Sequence, residues 1–321
     1  VPVTLLDYAN FMSLFMQRVA GPIERRDDLL PQLQRYTLAY DADAVLEGAR
    51  FVVLGLFMKL VIADELAAFV NTTEATNPFA VWLSVLSFGL RTYFDFAGYS
   101  LIAYGIARLL GIRLTLNFRA PITSLNIQEF WQRWHVTLNT WLSDYALTPL
   151  LLKWKGKHVT AALLLVFLGA GIWHGAGWNY ALFGLYHGVA LAIYRAYGRR
   201  MKMPRVVARI VTLSTVMGGW LLFMQPTLSS LAARLSCVAH LNRYTPHNLV
   251  LAFPQLRVEL VAFSWTYLLA GLWIALEFAS VSDARDDGYA IHRRPVVAQA
   301  VVAASVLFAA RAGAQFVYFA F

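Results

Sequence analysis

Three histidines, His135, His174 and His187, stand inside or beside strongly apolar segments. Imidazole changes charge near neutral pH, which makes it the commonest side chain for moving a proton in catalysis. Inside a membrane an ionisable group is costly enough to be a functional candidate by default. The competing reading for each is a hydrogen bond between packed helices. Their surroundings differ. His174 lies in Gly169-Ala170-Gly171-Ile172-Trp173-His174-Gly175-Ala176-Gly177, four glycines in nine residues. Such glycines allow close approach of another backbone or a ligand, and they permit dihedrals that break a helix. An imidazole at that break, wedged by Trp173 and Trp178, suits a general base facing a narrow channel. His187 repeats the local pattern as Tyr186-His187-Gly188. If 178–187 is one helix, a rise of ~1.5 Å per residue sets His187 about 15 Å in depth from Gly177, so it is read as packing. Acid–base work by a pair requires His135 to meet His174, 39 residues away, and nothing in the sequence brings them together.

Other chemistries lack their residues. There is no Gly-x-Ser-x-Gly nucleophile motif and no glycine-rich phosphate loop with its lysine. A single cysteine, Cys237, excludes an intrachain disulfide and any cysteine-based metal pattern, and no metal site is expected. The pairs Asp27-Asp28 and Asp286-Asp287 stand among arginines and read as solvated faces rather than paired acids.

The elements that must position the histidines are helices in lipid. The chain has 321 residues, of which 59% are hydrophobic and only 14% charged, against about 25% charged in an ordinary soluble domain. Mean hydropathy is +0.55. Val206–Met224, Glu259–Val281 and Val296–Ala310 approach or exceed the roughly 18–20 apolar residues that span a bilayer. Val45–Val70 follows the helical period, and Pro78–Leu110 reads as two helices or one kinked helix, broken around Arg91, Asp95 and Gly98. In Asn126–Tyr145, Trp131, Trp134, Leu138, Trp141 and Tyr145 form one aromatic stripe, and Asn126 with Glu129 resembles a capping box. That segment is too polar to cross lipid alone and is expected to be interfacial or re-entrant. Val159–Trp173 and Trp178–Tyr197 are shorter apolar segments.

Net charge is +9, from 27 Lys+Arg against 18 Asp+Glu. The basic residues sit between hydrophobic blocks, so orientation rules and anionic headgroups explain them, not nucleic acid. Arg195–Arg209 carries six basic residues and no acid, which marks it as cytoplasmic; Thr227–Arg257, with three arginines, is expected to face outward. No fixed-period repeat is present, and 1–321 is read as one membrane domain.

Eight stretches in order carry a family resemblance. They are Ala20-Gly21-Pro22-Ile23-Glu24-Arg25, then Lys59-Leu60-Val61-Ile62-Ala63-Asp64, then Tyr93-Phe94-Asp95-Phe96-Ala97-Gly98-Tyr99-Ser100. Gly111 with Asn117-Phe118-Arg119-Ala120-Pro121, Glu129-Phe130-Trp131-Gln132-Arg133-Trp134-His135 and Trp141-Leu142-Ser143-Asp144-Tyr145 follow. Trp173-His174-Gly175 and Gln315-Phe316-Val317-Tyr318-Phe319-Ala320-Phe321 complete the set. Together they resemble the membrane-bound O-acyltransferase family, and in particular its alginate O-acetyltransferase branch. Met224, after Trp220-Leu221-Leu222-Phe223, stands where an arginine is common in the family, and the chain shows fewer helices before Gly21-Pro22-Ile23 than the family carries.

The resemblance implies an all-α polytopic bundle of tilted and re-entrant helices around a tunnel, in the bacterial inner membrane. It implies that His174 is the catalytic histidine and His135 the second functional one, with Trp131, Trp134, Trp173, Asp95 and Asn117 as tunnel residues. The expected activity is transfer of an acyl group, most simply acetyl from acetyl-CoA with no permanently bound cofactor, toward an extracytoplasmic polysaccharide hydroxyl. With no soluble domain to grip a polymer, the chain is expected to pass the group to a separate extracytoplasmic transferase. His174 then serves as general base, and His135 or a tunnel amide stabilises the oxyanion. A secondary transporter, with broken helices and intramembrane ionisable groups such as Arg91, is a different reading, as is a non-catalytic scaffold for an O-acetylation complex.

Overall fold

The computed structural model describes residues 3–18, 20–37, 40–70, 77–255 and 260–281, with a few positions between 289 and 301. Among the described residues every regular element is helical. α1 (Leu5–Ser13) and α2 (Arg26–Gln34) lead into α3 (Ala42–Leu56), which continues through a π-helical stretch, Phe57–Ala63, into α4 (Asp64–Ala67). α5 spans Pro78–Leu109. The short α6 (Ile127–Arg133), α7 (Val136–Leu142) and α8 (Thr148–Lys153) precede the longer α9 (Val159–His174), α10 (Trp178–Ala196) and α11 (Arg205–Phe223). α12 (Leu228–Ala239), α13 (Pro246–Gln255) and α14 (Leu260–Ser280) follow. The expected span Val296–Ala310, the pair Asp286-Asp287 and the terminal stretch Gln315–Phe321 lie outside the described residues, wholly or in most of their length.

α5 is the axis of the bundle. Asn77 starts it, its Oδ1 accepting from the Phe79 amide at 2.9 Å, with Pro78 at the first helical position where its missing N–H is no loss. The helix then runs 32 residues without the break expected near Gly98. Gly98 is a contact glycine. A Cβ there would come within 2.8 Å of the Gly55 carbonyl oxygen, and one at Gly105 within 2.6 Å of that of Gly48. The spacing of seven residues on each helix is about two turns, so both contacts share one face and α3 lies antiparallel on α5. Close backbone approach of this kind is how helices associate without a hydrophobic driving force. It also sets Lys59, on the π-helical stretch, 3.0 Å from Asp95 of α5 and in an ion pair with Asp64.

α9 and α10 form a second antiparallel unit, a hairpin turning at Gly175–Gly177. Gly171 abuts the Tyr180 carbonyl and Gly184 that of Phe167, so these glycines admit the neighbouring helix rather than a ligand. α11 and α14 are long and apolar enough to cross a membrane, and they coincide with the segments expected at Val206–Met224 and Glu259–Val281. Leu165, Ile193, Ile210 and Leu272 are each more than half exposed on four different helices. An apolar surface that broad belongs in lipid.

Asn126–Tyr145 departs from the expected single striped helix. α6 ends at Arg133, His135 takes the left-handed conformation at φ 45°, and α7 starts at Val136. Trp131 and Trp134 turn inward, while Trp141 and Tyr145 remain exposed. The cap is half of the expected box: Asn126 Oδ1 accepts from the Glu129 amide at 2.8 Å, but the Glu129 carboxylate accepts from Leu125 N–H, one residue earlier.

The glycine contacts make a direct prediction. Gly98→Ala forces α3 and α5 apart and lowers the thermal midpoint in detergent, by about 1–3 kcal/mol of stability as overpacked sites do. Gly271→Ala, on α14 with nothing within 4 Å of the added methyl, is neutral or stabilising. Thermal melts of the two purified variants beside the parent protein test this; equal midpoints would remove the close-approach account.

Candidate active site

The break at His135 is built by hydrogen bonds from a segment that precedes α6. Asn117 C=O accepts from the Val136 amide at 2.8 Å, and the Arg119 amide donates to Arg133 C=O at 3.0 Å, so residues 117–119 pin both sides of the turn. The Asn117 side chain completes it. Its Oδ1 accepts from His135 Nδ1 (3.0 Å), the Thr137 amide (3.2 Å) and Thr137 Oγ1 (2.9 Å), while its Nδ2 donates to Ser100 Oγ of α5 at 3.4 Å. Thr137 Oγ1 in turn accepts from the Ile23 amide at 3.0 Å. Nearby, Arg25 pairs with Asp144 at 2.6 Å and lies 4.9 Å over the Tyr145 ring. Glu24 accepts from both the amide and the hydroxyl of Thr115. A left-handed non-glycine residue persists only where its surroundings over-determine it, and here they do. Residues that lie far apart along the chain, in 20–25, 93–100, 117–121 and 129–145, are one hydrogen-bonded frame around His135.

His174 is the last residue of α9, immediately before the glycine turn. Its ring stands edge-on to Phe223 at 5.3 Å and to Phe183 at 6.2 Å. The expected wedge of Trp173 and Trp178 is not what holds it. Trp173, although its ring is 5.0 Å from His174, is 60% exposed, and Trp178 is 73% exposed. A helix end turns neighbouring residues to opposite faces, and both tryptophans take the outer one. From His174 an aromatic wall runs inward: Phe183 and Phe223 lie 5.9 and 5.8 Å from Trp220, Trp220 lies 5.3 Å from Trp134, and Trp134 lies 5.0 Å from Phe118. Phe118 stacks toward His135 at 6.4 Å, and Phe96 of α5 meets that imidazole edge-on at 4.7 Å. A wall of this composition excludes water and so strengthens every electrostatic interaction beside it.

Of the remaining expected site residues, Trp134 and Asn117 belong to this interior. Asp95 is fully buried but engaged with Lys59, next to the frame rather than in it. Trp131 faces the other way, edge-on to His187 at 4.9 Å, and borders a groove of about 530 Å³ with Arg119, Gln132, Asn139 and Arg195. Trp173 borders a separate groove with Leu138, Trp141 and Leu165. His187 is packed, as read from the sequence: buried, edge-on to Phe183 at 4.8 Å and to Tyr186, with its Nε2 seated where Gly219 has no side chain. Its contact is steric, since Nδ1 has no hydrogen-bond partner among the described residues. Among the described residues no cluster of histidine, cysteine or carboxylate side chains is fit to hold a metal.

Sequence reasoning missed several members. Phe183, Trp220 and Phe223 look like ordinary span residues, and their periodicity gives no sign that they link two histidines. Thr137 carried a usable signal, two residues after His135 beside a helix break. Glu277 of α14, which accepts from Tyr93 Oη and from Trp273 Nε1, ties the last described helix to α5 across 184 residues.

Comparison with known proteins identifies the family. The model of the membrane-bound O-acyltransferase family matches residues 1–233. A peptidoglycan O-acetyltransferase of Helicobacter pylori is 37% identical over 252 residues, 74% of this chain and 47% of the relative. A probable alginate O-acetylase of Pseudomonas putida is 38% identical over 237 residues, 72% of this chain and 48% of the relative. A teichoic acid D-alanyltransferase of Bacillus subtilis is 27% identical over 235 residues, 66% and 60% of the two chains. The chain spans about half the length of the first two relatives. With the family model covering most of its length, and relatives 37% and 38% identical over more than two thirds of it, the chain belongs to the membrane-bound O-acyltransferase family.

Proposed function

We propose that the chain is an acyltransferase of the bacterial inner membrane, a polytopic bundle that takes an acetyl group from acetyl-CoA on the cytoplasmic side. The group passes toward a hydroxyl of an extracytoplasmic polysaccharide through a separate transferase docked on the outer face. The observation that carries this reading is the continuous line of aromatic contacts, through Phe183, Trp220, Trp134 and Phe118, that joins His174 of α9 to His135 at the α6–α7 break. The relatives' names support the substrate class, because each denotes an acyl group placed on a cell-surface or secreted polymer.

In the chemistry, His174 takes the proton of the acceptor hydroxyl as its oxygen attacks the thioester carbonyl. The C–O bond forms, the tetrahedral intermediate collapses, the C–S bond breaks, and the imidazolium returns the proton to the departing thiolate. Base assistance of this kind is worth about 10²–10⁴-fold. The basic segment Arg195–Arg209 lies on the donor side in this reading, and the groove bordered by Arg119 and Arg195 has the charge to receive the phosphates of a nucleotide-bearing thioester.

Three measurements test the proposal. In native membranes supplied with acetyl-CoA, His174→Ala abolishes free-thiol release while expression and detergent stability stay near the parent values. His187→Ala does the reverse, losing roughly 1–3 kcal/mol of stability through the emptied site beside Gly219 while retaining turnover. Wild-type turnover in His174→Ala would leave the chain as a scaffold, and a chain that moves solute without releasing thiol is a transporter. Purified protein with donor and polymer alone gives no polymer acetylation, read by mass spectrometry of the glycan, and adding the outer-face transferase restores it; unaided acetylation would refute the partner.

A further inference from the structure

We propose that Asn117 is a positioning residue that holds His135 in the neutral tautomer protonated on Nδ1, so that His135 meets the reacting groups at Nε2 as a hydrogen-bond acceptor. The functional part of this inference rests on the acyl-transfer reading; the tautomer itself does not.

The orientation of the Asn117 amide follows from its neighbours. The Thr137 backbone N–H can only donate, and it points at Asn117 Oδ1 from 3.2 Å. The Thr137 hydroxyl already accepts from Ile23 N–H, which leaves its own proton for the same Oδ1 at 2.9 Å. An amide nitrogen in that place would face a donor it cannot accept, so the atom is oxygen. A carboxamide oxygen only accepts, and His135 Nδ1 lies 3.0 Å from it; that nitrogen therefore carries the proton. Neutral imidazole has one N–H, so Nε2 presents a bare lone pair. Nε2 has no hydrogen-bond partner among the described residues and is not one of the sealed polar atoms. Ring rotation is opposed by Phe96, edge-on at 4.7 Å, and by the pinned left-handed backbone.

The consequence is a role for His135 other than the expected oxyanion donor. Without a proton on Nε2, the neutral ring cannot donate to an oxyanion. It can accept. While His174 holds the hydroxyl proton, the lone pair on His135 Nε2 is available to accept a hydrogen bond from a reacting group until the thiolate takes the proton back. Asn117 then plays the part that the third member plays in a nucleophile–base–orienter arrangement.

The test uses the full-length protein in nanodiscs with ¹⁵N-labelled histidine, at a pH where its imidazoles are neutral. The His135 signals, identified by their loss in His135→Gln, are expected to show a protonated Nδ1 and an unprotonated Nε2. Asn117→Ala is expected to release the ring toward the Nε2–H form. It lowers kcat for thiol release by about 10–100-fold, as loss of an orienting partner does, with KM for the donor unchanged. Asn117→Asp, which still accepts from Nδ1–H, recovers most of the lost rate. A proton on Nε2 in the wild type overturns the proposal, as does an Asn117→Ala protein with unchanged tautomer and rate. A joint fall in kcat, donor affinity and melting temperature that Asn117→Asp does not rescue overturns it too, because a purely structural role predicts that pattern. If the wild type releases no thiol, the acyl-transfer reading fails, and the nitrogen spectrum alone decides the tautomer.

Discussion

The structure around the site depends on one carboxamide. Asn117 Oδ1 takes three donors, and its Nδ2 reaches Ser100, so a single side chain joins α5, the 117–121 segment and the α6–α7 break. Thr137 extends the junction to Ile23. In an apolar bundle each of these groups would be expensive to leave unpaired, at about 1–3 kcal/mol apiece. Pairing them all on one acceptor makes the network all-or-none. That is why the left-handed His135 is stable here although the conformation is unfavourable by itself: to relax its backbone, the chain would have to unpair Asn117 from Val136 and Thr137 at once.

The glycine contacts decide whether that junction can form. Ser100 and Phe96, which touch Asn117 and His135, are on α5, and the depth of α5 in the bundle is set by Gly98 and Gly105 against Gly55 and Gly48. The same approach brings Lys59 to Asp95. A buried ion pair is weak evidence for stability, since desolvation offsets much of the attraction. Its value is in registry. The π-helical turn at Phe57–Ala63 advances Lys59 relative to an ordinary helix, and in that register it reaches both Asp64 and Asp95.

Much of this was legible before any coordinates. The long apolar helices, the packed state of His187 and the break after His174 follow from hydropathy, helical rise and glycine spacing. The family motifs marked Asn117 and His135 as members of a site. Three things were not readable, each for a physical reason. Gly98 was taken for a helix breaker because an isolated sequence does not distinguish a glycine that bends a backbone from one that admits another. The aromatic stripe of 126–145 was taken for one helix because side-chain periodicity continues across a break when the backbone turns at a single residue. And the line of rings between His135 and His174 runs through Phe183, Trp220 and Phe223, whose types are the common currency of any apolar helix.

The two histidines differ in the ends of the helices that carry them, and the difference agrees with their assigned parts. His174 is the last residue of α9, where unpaired carbonyls give the helix terminus a partial negative charge that favours a nearby cation. His135 precedes the first residue of α7, whose Val136 and Thr137 amides are already taken by Asn117. The helix terminus thus offers an imidazolium at His174 a partner charge that has no counterpart at His135. In the proposed reaction a proton drawn from a hydroxyl comes to rest on His174, while His135, donating through Nδ1, keeps a lone pair on Nε2. The terminus of α9 and the Asn117 amide are separate features of the fold, and the proposed division of labour draws on both: the base beside the glycine turn, the acceptor at the broken helix.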